Sequence, residues 1–336
     1  LAKQYGLSKR QLTAFLKNIY LARKVDDAEI AMKKQNKAFF QISGAGHEGI
    51  QTVISSILKP SYDYFLPYYR GRALCLGLGV TPYEMLCQAN GNTGDTASAG
   101  RQMPAHWGNK KLNIVSQSSC TGTQFLHACG IAEAGEYLVQ LENMGKSQKD
   151  ISYNHDEIVY VSAGEGTTSQ GEFWESLLTA SVKKLPVMYV IEDNGYAISV
   201  PVKDQTPGGS ISKTLKEVPG LKVYEVDGNC PIESYAVVSQ AAKRIREKQG
   251  PVLIHAHVTR PYSHSLSDDH SMYRSKEELK TEKENDIFYS YPKTLIEAGI
   301  ITEKEAEKFL EDAALEAKEA IGKAIETPWP EEKKSL

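Results

Sequence analysis

Two oxygen-bearing side chains are spaced for joint work on a doubly charged cation. Glu165 follows the apolar run at 158–162, and Asn194 follows a second apolar run at 187–192. Both runs read as buried strands, and the amphipathic segment between them, 169–184, reads as a helix. In a βαβ unit the two strands lie parallel, so their C-terminal ends share one edge and the two side chains converge. A carboxylate and an amide oxygen are the hard ligands that magnesium takes from protein, with phosphate oxygens and water completing the shell. Gly164 and Gly166 let the backbone turn tightly and approach a phosphate. The helix beyond them offers free N–H groups and the positive end of its dipole to the same anion. A Gly-acid-Gly turn alone is also an ordinary strand-to-helix connection. The full order of strand, GEG, helix, strand and DNGYAIS is what points to a metal and a diphosphate held together.

Other residues could serve the same site. Tyr69 and Arg70 stand in LPYYRGRA, with Arg72 close behind. A guanidinium fork matches phosphate oxygens and a tyrosine hydroxyl adds a donor; the plainer reading is a surface arginine beside packed aromatics. Ser118, Ser119, Cys120, Thr123 and Gln124 form a turn before a helix. Their hydroxyls and carbonyls can hold a monovalent cation or an aminopyrimidine ring, or can simply cap the helix. His264 lies in the polar loop 259–273. Its ordinary titration near neutrality suits proton transfer, although a lone loop histidine is usually just solvated. His47 and His106 read as packed or supporting histidines, and His255 and His257 alternate on an apolar strand as structural ones.

The elements needed to position these groups follow from periodicity. Strands are expected at 113–118, 158–162, 187–192, 222–226 and 252–258, and helices at 122–141, 169–184, 231–248 and 302–325. That alternation predicts an α/β fold: three layers, a mostly parallel central sheet with helices on both faces. Ser8 reads as an N-cap, with Leu12, Phe15, Leu16, Ile19 and Tyr20 on one face of the helix behind it. Pro82 marks the start of a short helix. The Gly/Asn/Ala-rich stretch 89–109 reads as a long functional loop. Three regions are expected: an N-terminal helical segment at 1–45, an α/β domain at 46–285, and C-terminal helices with a linker-like tail at 286–336.

Composition narrows the class. The 336 residues are 41% hydrophobic, enough for a large core, and the net charge of −3 gives no footprint for nucleic acid. No apolar run is long enough to span a membrane, and the N-terminal stretch is too polar for a signal peptide. Five cysteines, at 75, 87, 120, 129 and 230, show no metal or disulfide spacing and suit a reducing cytoplasm. The chain begins at Leu1 and ends in a Lys/Glu-rich stretch. An alpha portion of a longer polypeptide fused to a beta portion fits this, as does terminal processing.

GEG followed by DN resembles the thiamine diphosphate motif usually written GDG…NN. GRQMPAHWG at 100–108, SSCTGTQ at 118–124 and HSLSDDHSMYR at 264–274 are similar to the alpha subunit of a 2-oxo acid dehydrogenase component, and most similar to its branched-chain (2-oxoisovalerate) member. The resemblance runs from about Leu12 to Arg274. It implies the thiamine diphosphate-binding fold and oxidative decarboxylation of a 2-oxo acid, with acyl transfer to a lipoyl group on a partner acyltransferase. It also implies an α2β2 assembly in which the beta subunit supplies the carboxylate that activates the aminopyrimidine ring. Carried over by position, it gives Glu165, Asn194 and the Tyr196 carbonyl to magnesium, and Tyr69, Arg70, Gly166 and Thr167 to the diphosphate. Ser119 falls to the cofactor, Ser118, Cys120, Thr123 and Gln124 to potassium, and His264 to the cofactor and its reaction intermediates. Cys120 replaces the family's proline, but that ligand is a backbone carbonyl. Ser265 matches a serine phosphorylated in mitochondrial relatives. Arg260, Asp268, Asp269, Tyr273 and Arg274 are expected to hold the loop in shape. Glu192 stands where the branched-chain member has an arginine on the diphosphate, which costs one contact and weakens the branched-chain assignment. A pyruvate or acetoin dehydrogenase alpha subunit is the alternative. A non-catalytic paralogue is disfavoured because Glu165, Asn194 and His264 are all present.

Overall fold

The computed structural model describes residues 5–146 and 153–332; the ends of both terminal segments considered above, 1–4 and 333–336, lie outside them. The strands are β1 (Tyr64–Leu66), β2 (Val159–Gly164), β3 (Val187–Asp193), β4 (Tyr196–Ala197), β5 (Val200–Pro201), β6 (Lys222–Asp227) and β7 (Val252–His257). Five of them form one sheet in the order β1-β2-β3-β7-β6, parallel throughout, and β4 and β5 make a small antiparallel hairpin. The α-helices are α1 (Lys9–Lys34), α2 (Glu48–Ile57), α3 (Arg72–Leu78), α4 (Pro82–Asn90), α5 (Thr123–Asn143), α6 (Gly171–Lys183), α7 (Val202–Gln205), α8 (Ile211–Leu215), α9 (Pro231–Arg246), α10 (Lys276–Glu284), α11 (Ile287–Glu297) and α12 (Glu303–Glu326).

The central strands are apolar on both faces because both faces are covered. Tyr160, Met188, Val190 and Ile254 enter one buried cluster with α1, α2, α9, α11 and α12. Their neighbours Val159, Val161, Tyr189, Ile191 and Leu253 enter the other, with α5, α6 and α8. This is the period-2 alternation of a strand sandwiched between helix layers. On the second face Phe173 of α6 meets Phe125 of α5 edge-on at 5.1 Å, with Tyr189 of β3 at 6.5 Å. Phe173 is fully buried. We expect Phe173→Ala to cost ~3–5 kcal/mol, from lost transfer energy plus the cavity left behind. Chemical denaturation reads this directly, and a loss below ~1 kcal/mol would mean that the cluster collapses onto the gap.

The expected strand at 113–118 does not form. The Asn109 side chain accepts from the Lys111 and Leu112 amides and winds a 3-10 turn, and Asn113 leaves it in the left-handed region at φ 56°. Only Ile114 keeps β contacts, as isolated bridges to Phe65 and Asn109. The edge position belongs instead to β1, which is not among the expected strands. The helix expected from 169 begins at Gly171, after a 3-10 turn at Glu165–Ser169. Ser8 does cap α1, in a reciprocal box with Gln11. Thr81 caps α4 in the same way, with Pro82 at its first turn.

Helix α1 also buries charge. Arg23 binds Glu48 and Asp286, each at 2.8 Å, and Arg72 binds Glu29. Asp26 accepts from Gln41 at 2.8 Å, from the Ser43 hydroxyl at 2.5 Å and from the Gly44 amide at 2.9 Å, which fixes the run into α2. Gly46, in that run, has φ +87°, and a Cβ there would stand 2.1 Å from the Thr259 carbonyl oxygen, so only glycine fits. The tail that read as a linker is docked as far as it is described. Trp329 donates to Asn90 Oδ1 at 3.0 Å, and the Pro328 carbonyl accepts from the Thr93 amide at 3.0 Å.

Candidate functional site

Adjacent parallel strands β2 and β3 end side by side, with Gly164 paired to Glu192, so Glu165 and Asn194 leave the same edge of the sheet as expected. Glu165 is buried, and neither of its carboxylate oxygens has a hydrogen-bond partner among the described residues. Burial, with the nearby Asp193 carboxylate adding to it, pushes its pKa up to about 8. An unpartnered buried carboxylate is costly unless something positive meets it, and a hard divalent cation does so. Gly166 is needed for space rather than for a turn: a Cβ there would meet the Ala197 Cβ of the hairpin at 2.5 Å.

Asn194 is held in one orientation. Its amide nitrogen donates to His47 Nε2 at 3.2 Å, leaving its Oδ1 to accept from the Tyr196 amide at 3.3 Å. With Nε2 accepting, His47 Nδ1–H points to Glu192 Oε2 at 2.7 Å, and Gln51 donates to the same oxygen at 2.8 Å. Burial first, then the charges of Arg70 and Arg260, keeps His47 neutral. Burial likewise pushes the Glu192 carboxyl up to about 8, against the pull of Gln51 and Arg70. Glu192 is therefore an internal support for His47 and Asn194. The Gly-rich word GAGHEG was the available signal for His47, since a histidine on a tight turn ahead of a helix can be aimed at the strand ends.

A cleft of about 210 Å³ opens beside this edge. Tyr69, Ser118, Ser119, Cys120, Gln124, Thr167 and His264 line it, together with Phe40, Ile42, Tyr68, Met103 and His106, which were not read as pocket residues. His106 Nδ1–H donates to the Pro104 carbonyl at 3.1 Å, so its Nε2 accepts from the Ser119 hydroxyl at 2.8 Å. Ser119 then offers lone pairs, not a proton, to the cleft. In the same turn Thr123 Oγ1 donates to the Cys120 carbonyl at 3.1 Å, the Ser118 hydroxyl accepts from the Cys120 amide at 3.2 Å, and Gln124 donates to the Ser162 carbonyl at 3.2 Å.

Arg70 is buried and turned inward. Its guanidinium donates to the Ser43 carbonyl, to His264 Nδ1 at 3.1 Å and to the His264 carbonyl at 3.2 Å. The open phosphate fork expected from the sequence is thus already engaged. Because Arg70 can only donate, His264 Nδ1 accepts and its proton sits on Nε2. Burial, then Arg70 and Arg260, lowers the His264 pKa to about 4. The loop around it is held as expected. Asp268 accepts from the His264 amide and the Tyr273 hydroxyl, Arg260 donates to that hydroxyl, and Arg274 donates to the Arg260 carbonyl. Asp269 instead caps the next turn through Ser271. Ser265 is buried, with its hydroxyl 2.9 Å from that of Ser267. The Tyr196 hydroxyl donates to Glu278, away from Asn194.

The profile of the dehydrogenase E1 component family matches residues 17–333. The chain belongs to that family. The 2-oxoisovalerate dehydrogenase subunit alpha of Bacillus subtilis (strain 168) is 35% identical over 96% of this chain and 93% of its own length. The pyruvate dehydrogenase E1 component subunit alpha of the same organism is 29% identical over 96% of this chain and 80% of its own. A mitochondrial 2-oxoisovalerate dehydrogenase subunit alpha of Caenorhabditis elegans is 33% identical over 74% of this chain and 54% of its own. This E1 chain is thus of the alpha type, and its family implies thiamine diphosphate. The residues present fit such a group: the two unpartnered oxygens of Glu165 suit a metal that carries a diphosphate, and the cleft beside them is lined by hydroxyls and apolar side chains. Among the described residues of the E1 chain no helix is long and apolar enough to cross a membrane.

Proposed function

We propose that this chain is the alpha subunit of a thiamine diphosphate-dependent 2-oxo acid dehydrogenase that oxidatively decarboxylates a branched-chain 2-oxo acid and passes the acyl group to a lipoyl group of a partner acyltransferase. The observation that carries the chemistry is the buried, unpartnered carboxylate of Glu165 beside a hydroxyl-lined cleft. The branched-chain preference is supported by the 35% identity to the 2-oxoisovalerate subunit against 29% to the pyruvate one. The apolar wall of Phe40, Ile42 and Met103 supports it as well.

In this reading Glu165, the Asn194 Oδ1 and the Tyr196 carbonyl hold magnesium, and His47 keeps the Asn194 oxygen facing it. The amides of Gly166 and Thr167 and the Tyr69 hydroxyl hold the diphosphate. Arg70 joins them by exchanging a present partner. Ser119, its proton directed to His106, accepts from an amino group of the cofactor ring. Ser118, Cys120, Thr123 and Gln124 hold potassium. Thiamine diphosphate, when bound, supplies a carbanion that adds to the keto carbon and an electron sink for loss of carbon dioxide. His264, neutral with its proton on Nε2, donates to the developing oxyanion from a partly dry site. A beta subunit completes the site in an α2β2 assembly. A cytoplasmic location fits the five unpaired thiols.

The test is reduction of an artificial electron acceptor by the chain with its beta partner, thiamine diphosphate and magnesium. Pyruvate, 3-methyl-2-oxobutanoate, 2-oxoglutarate and acetoin are offered in parallel. The branched acid is expected to give the highest kcat/KM, and the chain without its partner is expected to give no turnover. Preference for pyruvate or acetoin would correct the substrate. Turnover by the isolated chain would overturn the shared site.

A further inference from the structure

The same edge of the sheet carries a second cluster of ligand-type side chains, set on β3, β6 and β7. Asp193 closes β3, Glu225 lies on β6, and His255 and His257 lie on β7. The parallel register brings them to one face: Asp193 pairs with His257, and Glu225 pairs with His255. One ligand atom from each of Asp193, His255 and His257 lies within 4.8 Å of the other two. Asp193 Oδ2 is 3.0 Å from His255 Nε2, and Glu225 Oε1 is 2.7 Å from His257 Nε2. The two imidazole rings are 4.4 Å apart between centres.

The surroundings are built as a metal's usually are. His255 Nδ1 is 3.0 Å from the Ser212 hydroxyl, which donates in turn to Glu225 Oε2 at 2.8 Å. Ligating histidines characteristically spend their second nitrogen on such a partner, which fixes ring and tautomer. Asp193 and His255 are buried, while His257 and Glu225 are about half exposed, so the cluster is rigid on one side and open to solvent on the other. Two imidazolium ions this close would repel. One divalent cation balances both carboxylates and leaves both imidazoles neutral, the form in which they ligate.

We propose that Asp193, His255 and His257, with Glu225 as the fourth ligand, form a second metal site that takes a four-coordinate divalent transition-metal ion of the zinc kind. A donor set of two imidazoles and two carboxylates favours such an ion over magnesium, whose preference is for oxygen alone. The site differs from the all-oxygen set around Glu165 and Asn194, and it ties together the ends of three strands. Asp193 turns to β7, while its neighbour Asn194 turns to His47.

Cobalt(II), the spectroscopic stand-in for zinc, tests this on the full chain stripped of metal, with magnesium and thiamine diphosphate in excess. One equivalent per chain is expected to bind with the intense visible bands of four-coordinate cobalt, and Zn2+ is expected to displace it. The bands should survive Glu165→Gln, vanish in His257→Ala, and require at least roughly tenfold more cobalt in Glu225→Gln. His257 is half exposed, so its variant should keep the wild-type circular dichroism and melting temperature of the metal-free protein. Binding that is not stoichiometric, weak six-coordinate absorption, or bands that persist in His257→Ala would each overturn the proposal.

Discussion

Glu165→Gln is expected to abolish magnesium-dependent cofactor binding and, at the same time, to stabilise the protein without cofactor at pH 8. Glutamine keeps the shape but removes the only charge that Glu165 can offer a cation. Affinity for thiamine diphosphate with magnesium should fall by roughly 100-fold or more, and turnover with it. The stability effect follows from the same burial. The Glu165 carboxyl titrates at about 8 in the fold against an ordinary 4.5, so between those values the folded chain holds a proton that the unfolded chain has lost. The stabilisation is full below pH 4.5 and is lost as pH rises to about 8. Above that the fold carries a buried charge with no partner. Removing it should raise stability by ~1–3 kcal/mol, a few degrees in Tm, visible as a flatter melting-temperature profile between pH 5 and 8. Glu192, also raised to about 8, contributes to the slope that remains. Titration calorimetry and thermal melts read the two halves separately. Undiminished magnesium-dependent affinity in the variant would remove Glu165 from the metal site.

The second large effect concerns His264. With the beta subunit present, His264→Asn is expected to lower kcat by ~10²–10³-fold with little change in cofactor affinity, as for a group that donates a hydrogen bond to the oxyanion in the transition state. The wild-type pH–rate profile should show no limb near the ordinary histidine value of 6.5, because burial, Arg70 and Arg260 hold His264 at about 4. Arg70→Gln removes one of those causes, so the His264 pKa, followed by ring-proton NMR, should move up toward 6.5. A His264 resonance that titrates near 6.5 in the wild type, or a His264→Asn enzyme of full activity, would contradict this assignment.

The parts of this site that were legible in the sequence are those that depend on strand ends. Glu165 and Asn194 each follow an apolar run, and parallel pairing leaves no choice about the edge they share. The hidden parts depend on which way a side chain turns. Arg70 could face a phosphate or the protein, and only the position of Ser43 and His264 decides it. Glu192 read as a lost phosphate contact and is instead the support of His47. His47 lies far from Asn194 along the chain, and their contact exists only once α2 packs across the sheet. The strand expected at 113–118 failed for a local reason that periodicity does not record, a side-chain cap followed by a left-handed asparagine.

Asp26 reaches the site without touching it. Its carboxylate fixes Gln41, Ser43 and Gly44, and the Ser43 carbonyl anchors the arginine that orients His264. The first helix is therefore not an exchangeable module. A hybrid gene that joined the leading segment of one relative to the body of another would inherit a misaligned histidine unless the acid at this position, and the three hydroxyl and amide partners it holds, crossed over as one block.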